Sequence, residues 1–210
     1  MNDEDAAMFV HYLLATDAEL PPISAPLYEY VFAGNGVFKR AVRNEMSAMI
    51  PVRECAIRGL APVEPELNTL FGKVPEPIIQ QILEAASEAA RQELEVLFHL
   101  SLVDGKWRLD VPPQIQRYAS VEPIEKGAGS SYERAIIEIH SHHRMPARFS
   151  PEDDRDETGF RVYGVIGNLN PRSAHWPKIN FRVGVYGDWW PLPADRIVEM
   201  PADLTDCNEE

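Results

Sequence analysis

The sequence predicts an α/β fold with a β-rich N-terminal extension. Three observations carry this. Residues 75–92 hold a long apolar stripe at helical period. The period then switches to two from Glu93 onward. Asn35-Gly36 and Asp104-Gly105 each separate apolar runs, as hairpin turns do.

Taken in order, Met8–Leu14 fits a short strand or a helical turn, and Pro21, Pro22 and Pro26 then interrupt regular structure. Tyr28, Tyr30 and Phe32 alternate with Glu29 and Val31 as a strand does, and Val37–Val42 returns after the Asn35-Gly36 turn. Met46–Val52 reads as a third strand and Arg53–Leu60 as a further one. A proline-rich connector containing Pro62, Pro65, Pro75 and Pro77 places a boundary near residue 72. The expected organisation is an extension over 1–72, a principal domain over 73–192 and an acidic tail over 193–210, partly disordered.

In the principal domain, Pro75 and Pro77 suit the first helical turn, where a missing backbone donor does little harm. Ile78, Ile79, Ile82, Leu83, Ala86, Ala89 and Ala90 form the stripe, whose ordinary work is to pack on a sheet. The strand that follows puts Leu94, Val96, Phe98, Leu100 and Leu102 on one face, and Glu93, Glu95, Leu97, His99 and Ser101 on the other. Lys106–Val111 returns beside it, Gln116–Val121 reads as the next strand, and Lys126–Ser131 is a loop. Ala135–Ile139, apolar and β-branched, leads a strand into His140-Ser141-His142. Ser150-Pro151-Glu152-Asp153 is a helix start: a capping serine, proline at the first position, acids in the first turn. Phe160–Gly167 and Ile179–Tyr186 read as the last strands, joined by a loop containing His175.

With 45% hydrophobic residues the chain can bury a sizeable core. A formal net charge of -13 and the lack of a basic stripe argue against a nucleic-acid partner. Cys55 and Cys207 are too few for a disulfide framework or a cysteine metal site. No apolar run is long enough to span a membrane, and Met1–Asp5 does not open a secretory signal, so the expected location is cytoplasmic.

The chemistry concentrates at one constellation. His140 and His142, two apart on a strand, project to one face. Seven residues after His142 comes Ser150, and three further comes Asp153. Two imidazoles and a carboxylate with a fourth position open are the ligand set of a catalytic zinc. The chemistry implied is hydrolysis, of an amide in the first place. Asp154 is a neighbouring carboxylate that spacing alone does not separate from Asp153. Ser150 is the nearest neutral donor for an oxyanion. Glu95 is the candidate general base, Glu93 its rival on the same side, and Glu138 a supporting group. His143 has the wrong parity for a ligand, His99 reads as a satisfied sheet histidine, and His11 and His175 as surface residues.

His140-Ser141-His142, seven residues and Ser150-Pro151-Glu152-Asp153 resemble the metalloprotease signature of the JAB/MPN (JAMM) family, over roughly residues 74–190. The resemblance implies a curved mixed sheet flanked by helices and a zinc peptidase or isopeptidase. Its zinc ligands would be His140, His142 and Asp153, its serine Ser150, and its glutamate Glu95, although Phe98 stands where many members carry glycine. Tyr30–Phe38, Arg58-Gly59-Leu60 and Trp107–Gln114 further resemble the PRTRC system protein A group. That group belongs to bacterial cassettes with a ubiquitin-like, a ThiF/E1-like and a ParB-related protein. The resemblance implies a ubiquitin-like protein or its conjugate as substrate, with a ThiF/E1-like protein as a further partner. The competing readings are a non-enzymatic MPN-type scaffold for those partners and a zinc hydrolase of small amides.

Overall fold

The computed structural model describes residues 9–169 and 176–207. Its contacts divide into two compact units. One runs to Phe71 and takes in Arg155–Phe160 and Val183–Trp190; the other comprises Gly72–Asp154, Arg161–Arg182 and the chain from Pro191.

The first unit is built on a five-stranded sheet of sequential order: β1 (Val10–Leu14), β2 (Tyr28–Ala33), β3 (Gly36–Arg43), β4 (Met46–Glu54) and β5 (Glu66–Thr69). Strand β1 runs parallel to β2, and the rest are antiparallel. Val31, Ala33, Phe38 and Met49 pack with Ala15 and Val63 into its core. The buried face of β2 is Glu29, Val31 and Ala33, so its aromatic residues stay half-exposed. Glu29 reaches that face because Arg40, its neighbour across the ladder, accompanies it. On the opposite face the Nζ of Lys39 donates to the Tyr186 carbonyl at 2.9 Å and to Asp188 at 2.6 Å, and lies over the rings of Tyr28 and Tyr30. Arg53–Leu60 does not continue as a strand beyond Glu54. It turns, and the Ala61 carbonyl accepts the Gly34 N–H at 2.7 Å while the Asn35 amide holds Val63. That backbone approach leaves no space for a side chain at Gly34.

The second sheet is curved and mixed, flanked by helices, in the order β13-β12-β11-β10-β6-β7. Its members are β6 (Leu97–Val103), β7 (Lys106–Asp110), β10 (Ile137–His142), β11 (Phe160–Gly167), β12 (Lys178–Val185) and β13 (Asp188–Leu192). Strand β10 is central, parallel to β11 and antiparallel to β6. Helix α1 (Glu76–Arg91) buries Ile79, Ile82, Leu83, Ala86, Ala89 and Ala90, the stripe read from the sequence apart from Ile78, which is half-buried. Short helices follow: α2 (Ser131–Arg134), α3 (Pro151–Asp156) and α4 (Ala194–Ile197).

The second unit departs from the sequence pattern in three further places. The stretch Gln116–Val121 is not one strand: Gln116 ends β8 (Gln114–Gln116), Val121 begins β9 (Val121–Pro123), and residues 117–120 turn between them. Glu93 and Glu95 precede β6 and do not belong to it; Glu93 has φ 58, which ends the alternation there. The acidic tail is ordered through Cys207. Ile197, Val198 and Leu204 are buried, β14 (Thr205–Asp206) pairs with β12, and the Asp206 carboxylate accepts the Ala194 N–H at 2.6 Å. Apolar residues spaced through the tail outweigh its charge.

Candidate metal centre

The site begins with the pleat of β10. Ile137, Ile139 and Ser141 face one way, and Glu138, His140 and His142 the other. Ser141 serves its own side: its hydroxyl accepts the Val96 N–H at 3.1 Å, and its N–H donates to the Val96 carbonyl at 3.0 Å. These bonds pin the approach to β6 beside the histidine strand.

The chain returns to the histidines along the end of β11. The Asn168 N–H donates to the Met145 carbonyl at 2.8 Å, and the Leu169 N–H to the His143 carbonyl at 2.6 Å. Gly167 lets the Met145–Ala147 backbone lie against it, where a Cβ would collide. Ser150 and Asp153 then close a reciprocal cap. The Ser150 Oγ accepts the Asp153 N–H at 3.2 Å, and Asp153 Oδ2 accepts the Ser150 N–H at 2.5 Å. The cap that starts α3 thus also aims the Asp153 carboxylate, whose Oδ1 lies 3.3 Å from His140 Nε2.

The two Nε2 atoms of His140 and His142 are 3.1 Å apart, and Asp153 Oδ2 is 3.8 Å from that of His142. One donor atom from each of the three residues lies within 4.8 Å of the others. His142 Nδ1 is 3.3 Å from the Pro146 carbonyl oxygen, which only accepts. Nδ1 therefore carries the proton, and the Nε2 lone pair points into the cluster. Burial pushes the pKa of both histidines down, against the opposing charge of Asp153. Burial also opposes the charge on Asp153, yet His140 and the hydrogen bonds from Ser150 hold its carboxyl below the usual range. Neutral imidazoles and an ionised carboxylate are the states in which these groups bind a metal.

Glu95 is 3% exposed, and its Oε1 lies 3.9 Å from His142 Nε2. Among the described residues that oxygen has no hydrogen-bond partner. Burial first, then the charges of Asp153 and Glu152, push its pKa up to about 8. Its backbone is fixed on both sides: its N–H donates to the Arg117 carbonyl at 3.0 Å, and its carbonyl accepts Gln116 Nε2 at 2.8 Å. Glu93 points elsewhere, into an exposed ion pair with Arg144 at 3.2 Å. Two imidazole nitrogens, a carboxylate oxygen and an adjacent buried oxygen without a donor fit a zinc ion.

Glu138 lies outside the cluster, held by Arg161 at 3.0 Å and His99 at 3.4 Å. His99 also meets the Ser131 hydroxyl at 2.9 Å. His11, in the first unit, bonds Ser24, and His175 lies outside the described residues. Parity excludes His143 as a ligand, but the sequence holds no signal of what it does instead. It is buried; its Nε2 donates to the Tyr118 carbonyl at 2.7 Å, and its Nδ1 accepts the Arg144 N–H at 2.8 Å. It thereby ties the β8–β9 ribbon to the end of β10.

No known protein-family profile matches the chain. Its sequence is similar to a methionyl-tRNA formyltransferase of Delftia acidovorans, 36% identical over 89 residues, which are 41% of this chain and 26% of that protein. The chain thus spans about a quarter of that relative's length. Among solved structures, one described as "JAMM: A Metalloprotease-like Zinc Site in the Proteasome and Signalosome" aligns with 61% of this chain and 99% of its own, at 20% identity and a TM-score of 0.36. A likeness of that degree carries no weight, and the assignment of the site stands on its own geometry.

Proposed function

We propose that the protein is a zinc-dependent peptidase or isopeptidase of JAMM type, acting at the C-terminus of a ubiquitin-like protein or on its conjugate. The carrying observation is the convergence of His140, His142 and Asp153 beside the unpartnered buried oxygen of Glu95. Zinc held by the three ligands would supply a Lewis acid that polarises the scissile carbonyl and makes water nucleophilic near neutral pH.

The protein's own groups account for the proton traffic. Glu95 accepts the proton of the attacking water and passes it to the leaving amine. A buried carboxylate beside the ligands suits this role, because the group that takes the water's proton can return it as the acid of the second step. The Ser150 hydroxyl accepts the Asp153 N–H through its oxygen, so its hydrogen remains to donate to the developing oxyanion. The ubiquitin-like substrate, and a ThiF/E1-like protein as a further partner, rest on the resemblance of Tyr30–Phe38, Arg58–Leu60 and Trp107–Gln114 to the PRTRC system protein A group.

The test is incubation of the zinc-loaded protein with a ubiquitin-like protein extended at its C-terminus, and with an isopeptide-linked conjugate. Cleavage after the ubiquitin-like C-terminus, abolished by a chelator and restored by zinc, is the expected result. Failure to cleave either substrate would contradict the peptidase reading.

A further inference from the structure

Helix α3 carries Asp153 yet buries none of its own residues. A six-residue helix without an apolar face has little intrinsic stability, so something else must hold it to the sheet. Arg182, on β12 and 8% exposed, is placed to do this. Its Nη1 donates to Asp154 Oδ1 at 2.6 Å, and Asp154 is the residue after the candidate ligand. Its guanidinium carbon also lies 3.9 Å from the centre of the Phe149 ring, and Phe149 precedes the capping Ser150. The Phe149 ring in turn meets the His140 ring edge-on, with 6.3 Å between centroids. One guanidinium therefore grips both ends of the Ser150–Asp153 cap, and through Phe149 it abuts a second ligand.

We propose that Arg182 is a positioning residue for the metal centre, fixing the Asp153 carboxylate by clamping Asp154 and Phe149. The proposal rests on the metal-binding reading of His140, His142 and Asp153. Arginine suits the position because its planar group stacks on a ring by its face while donating in plane along its edge, a fixed fork that the compact lysine ammonium lacks. Asp154 has a second effect. By pairing with Arg182 it offsets a positive charge that would otherwise repel a cation at the site. This also separates the two adjacent aspartates that spacing left equivalent: Asp153 turns to the histidines and Asp154 to Arg182.

The experiment is zinc affinity by competition with a chromophoric chelator, together with the visible spectrum of the cobalt-loaded protein, for wild type, Arg182→Met, Arg182→Lys and Asp154→Asn. Loss of a group that orients a ligand costs about 10–100-fold in metal affinity. Arg182→Met and Asp154→Asn are expected to fall in the lower part of that range, with Arg182→Lys between them and wild type. At saturating cobalt the spectra of Arg182→Met and Asp154→Asn should shift, which a merely stabilising role would not produce. Should Arg182→Met fail to fold, Asp154→Asn decides, because that side chain is 45% exposed. Wild-type affinity and an unshifted spectrum in the folded variants would overturn the proposal and leave the metal centre standing. A wild type that binds neither metal would overturn both.

Discussion

Glu29 and Glu95 are each 3% exposed, and their surroundings are opposite. Glu29 Oε1 accepts the N–H groups of Ser24 at 2.8 Å and Ala25 at 3.1 Å, and Oε2 accepts the Arg40 Nε at 2.7 Å. Burial works against its charge, but these donors outweigh it and lower the pKa. Around Glu95, burial is joined by the acidic neighbours Asp153 and Glu152, and the pKa rises. The first carboxylate is a finished structural element. The second is held in a costly state, which a fold tolerates where chemistry needs it.

The largest effect that would sharpen this contrast is kinetic. Glu95→Gln should lower turnover by about 10²–10⁴-fold, the usual contribution of a general base, with zinc still bound. Glu93→Gln should leave turnover near wild type, since its partner is the exposed Arg144. Equal losses in steady-state cleavage by the two variants, or none in either, would break the distinction.

The next effect is on stability. Arg40→Met leaves the Glu29 charge buried without its counter-ion, and removal of one partner of a buried pair typically costs about 3–5 kcal/mol. Urea unfolding should show a clearly lowered midpoint, and an unchanged one would mean that the pair is dispensable. The smallest effect is the acid dependence. The folded pKa of Glu29 lies below its ordinary 4.5, so its contribution is present above that value and fades as pH falls through the lower folded one. Unfolding midpoints taken down through that window should fall more steeply for wild type than for Glu29→Gln. Parallel curves would contradict the sign.

The sequence made legible whatever depends on local period and turn chemistry. The parity of His140 and His142 follows from the strand, and the Ser150–Asp153 cap from residue type and spacing. Asp104-Gly105 turns with φ 51 and 73, both positive, as its type demands. The same logic misleads at Glu93: the alternation in residue type extends back past Leu97, where β6 starts, but the backbone at Glu93 takes φ 58. Strand β13 was hidden by Pro191 and by the turn at Tyr186-Gly187, where a tyrosine takes φ 48. The parallel pairing of β1 with β2 is non-local and leaves no short-range mark. The links from Arg182 to Asp154 and from His143 to Tyr118 join side chains to groups 28 and 25 residues away, beyond the reach of any pattern.

The central claim is that His140, His142 and Asp153 hold a zinc ion. Metal analysis of the purified, zinc-reconstituted protein tests it most directly, with His140→Ala and Asp153→Asn prepared in parallel. The account predicts about one zinc per wild-type chain, as three protein ligands and one open position require, and almost none in either variant. A wild type without zinc after reconstitution, or variants that retain it in full, would contradict the account.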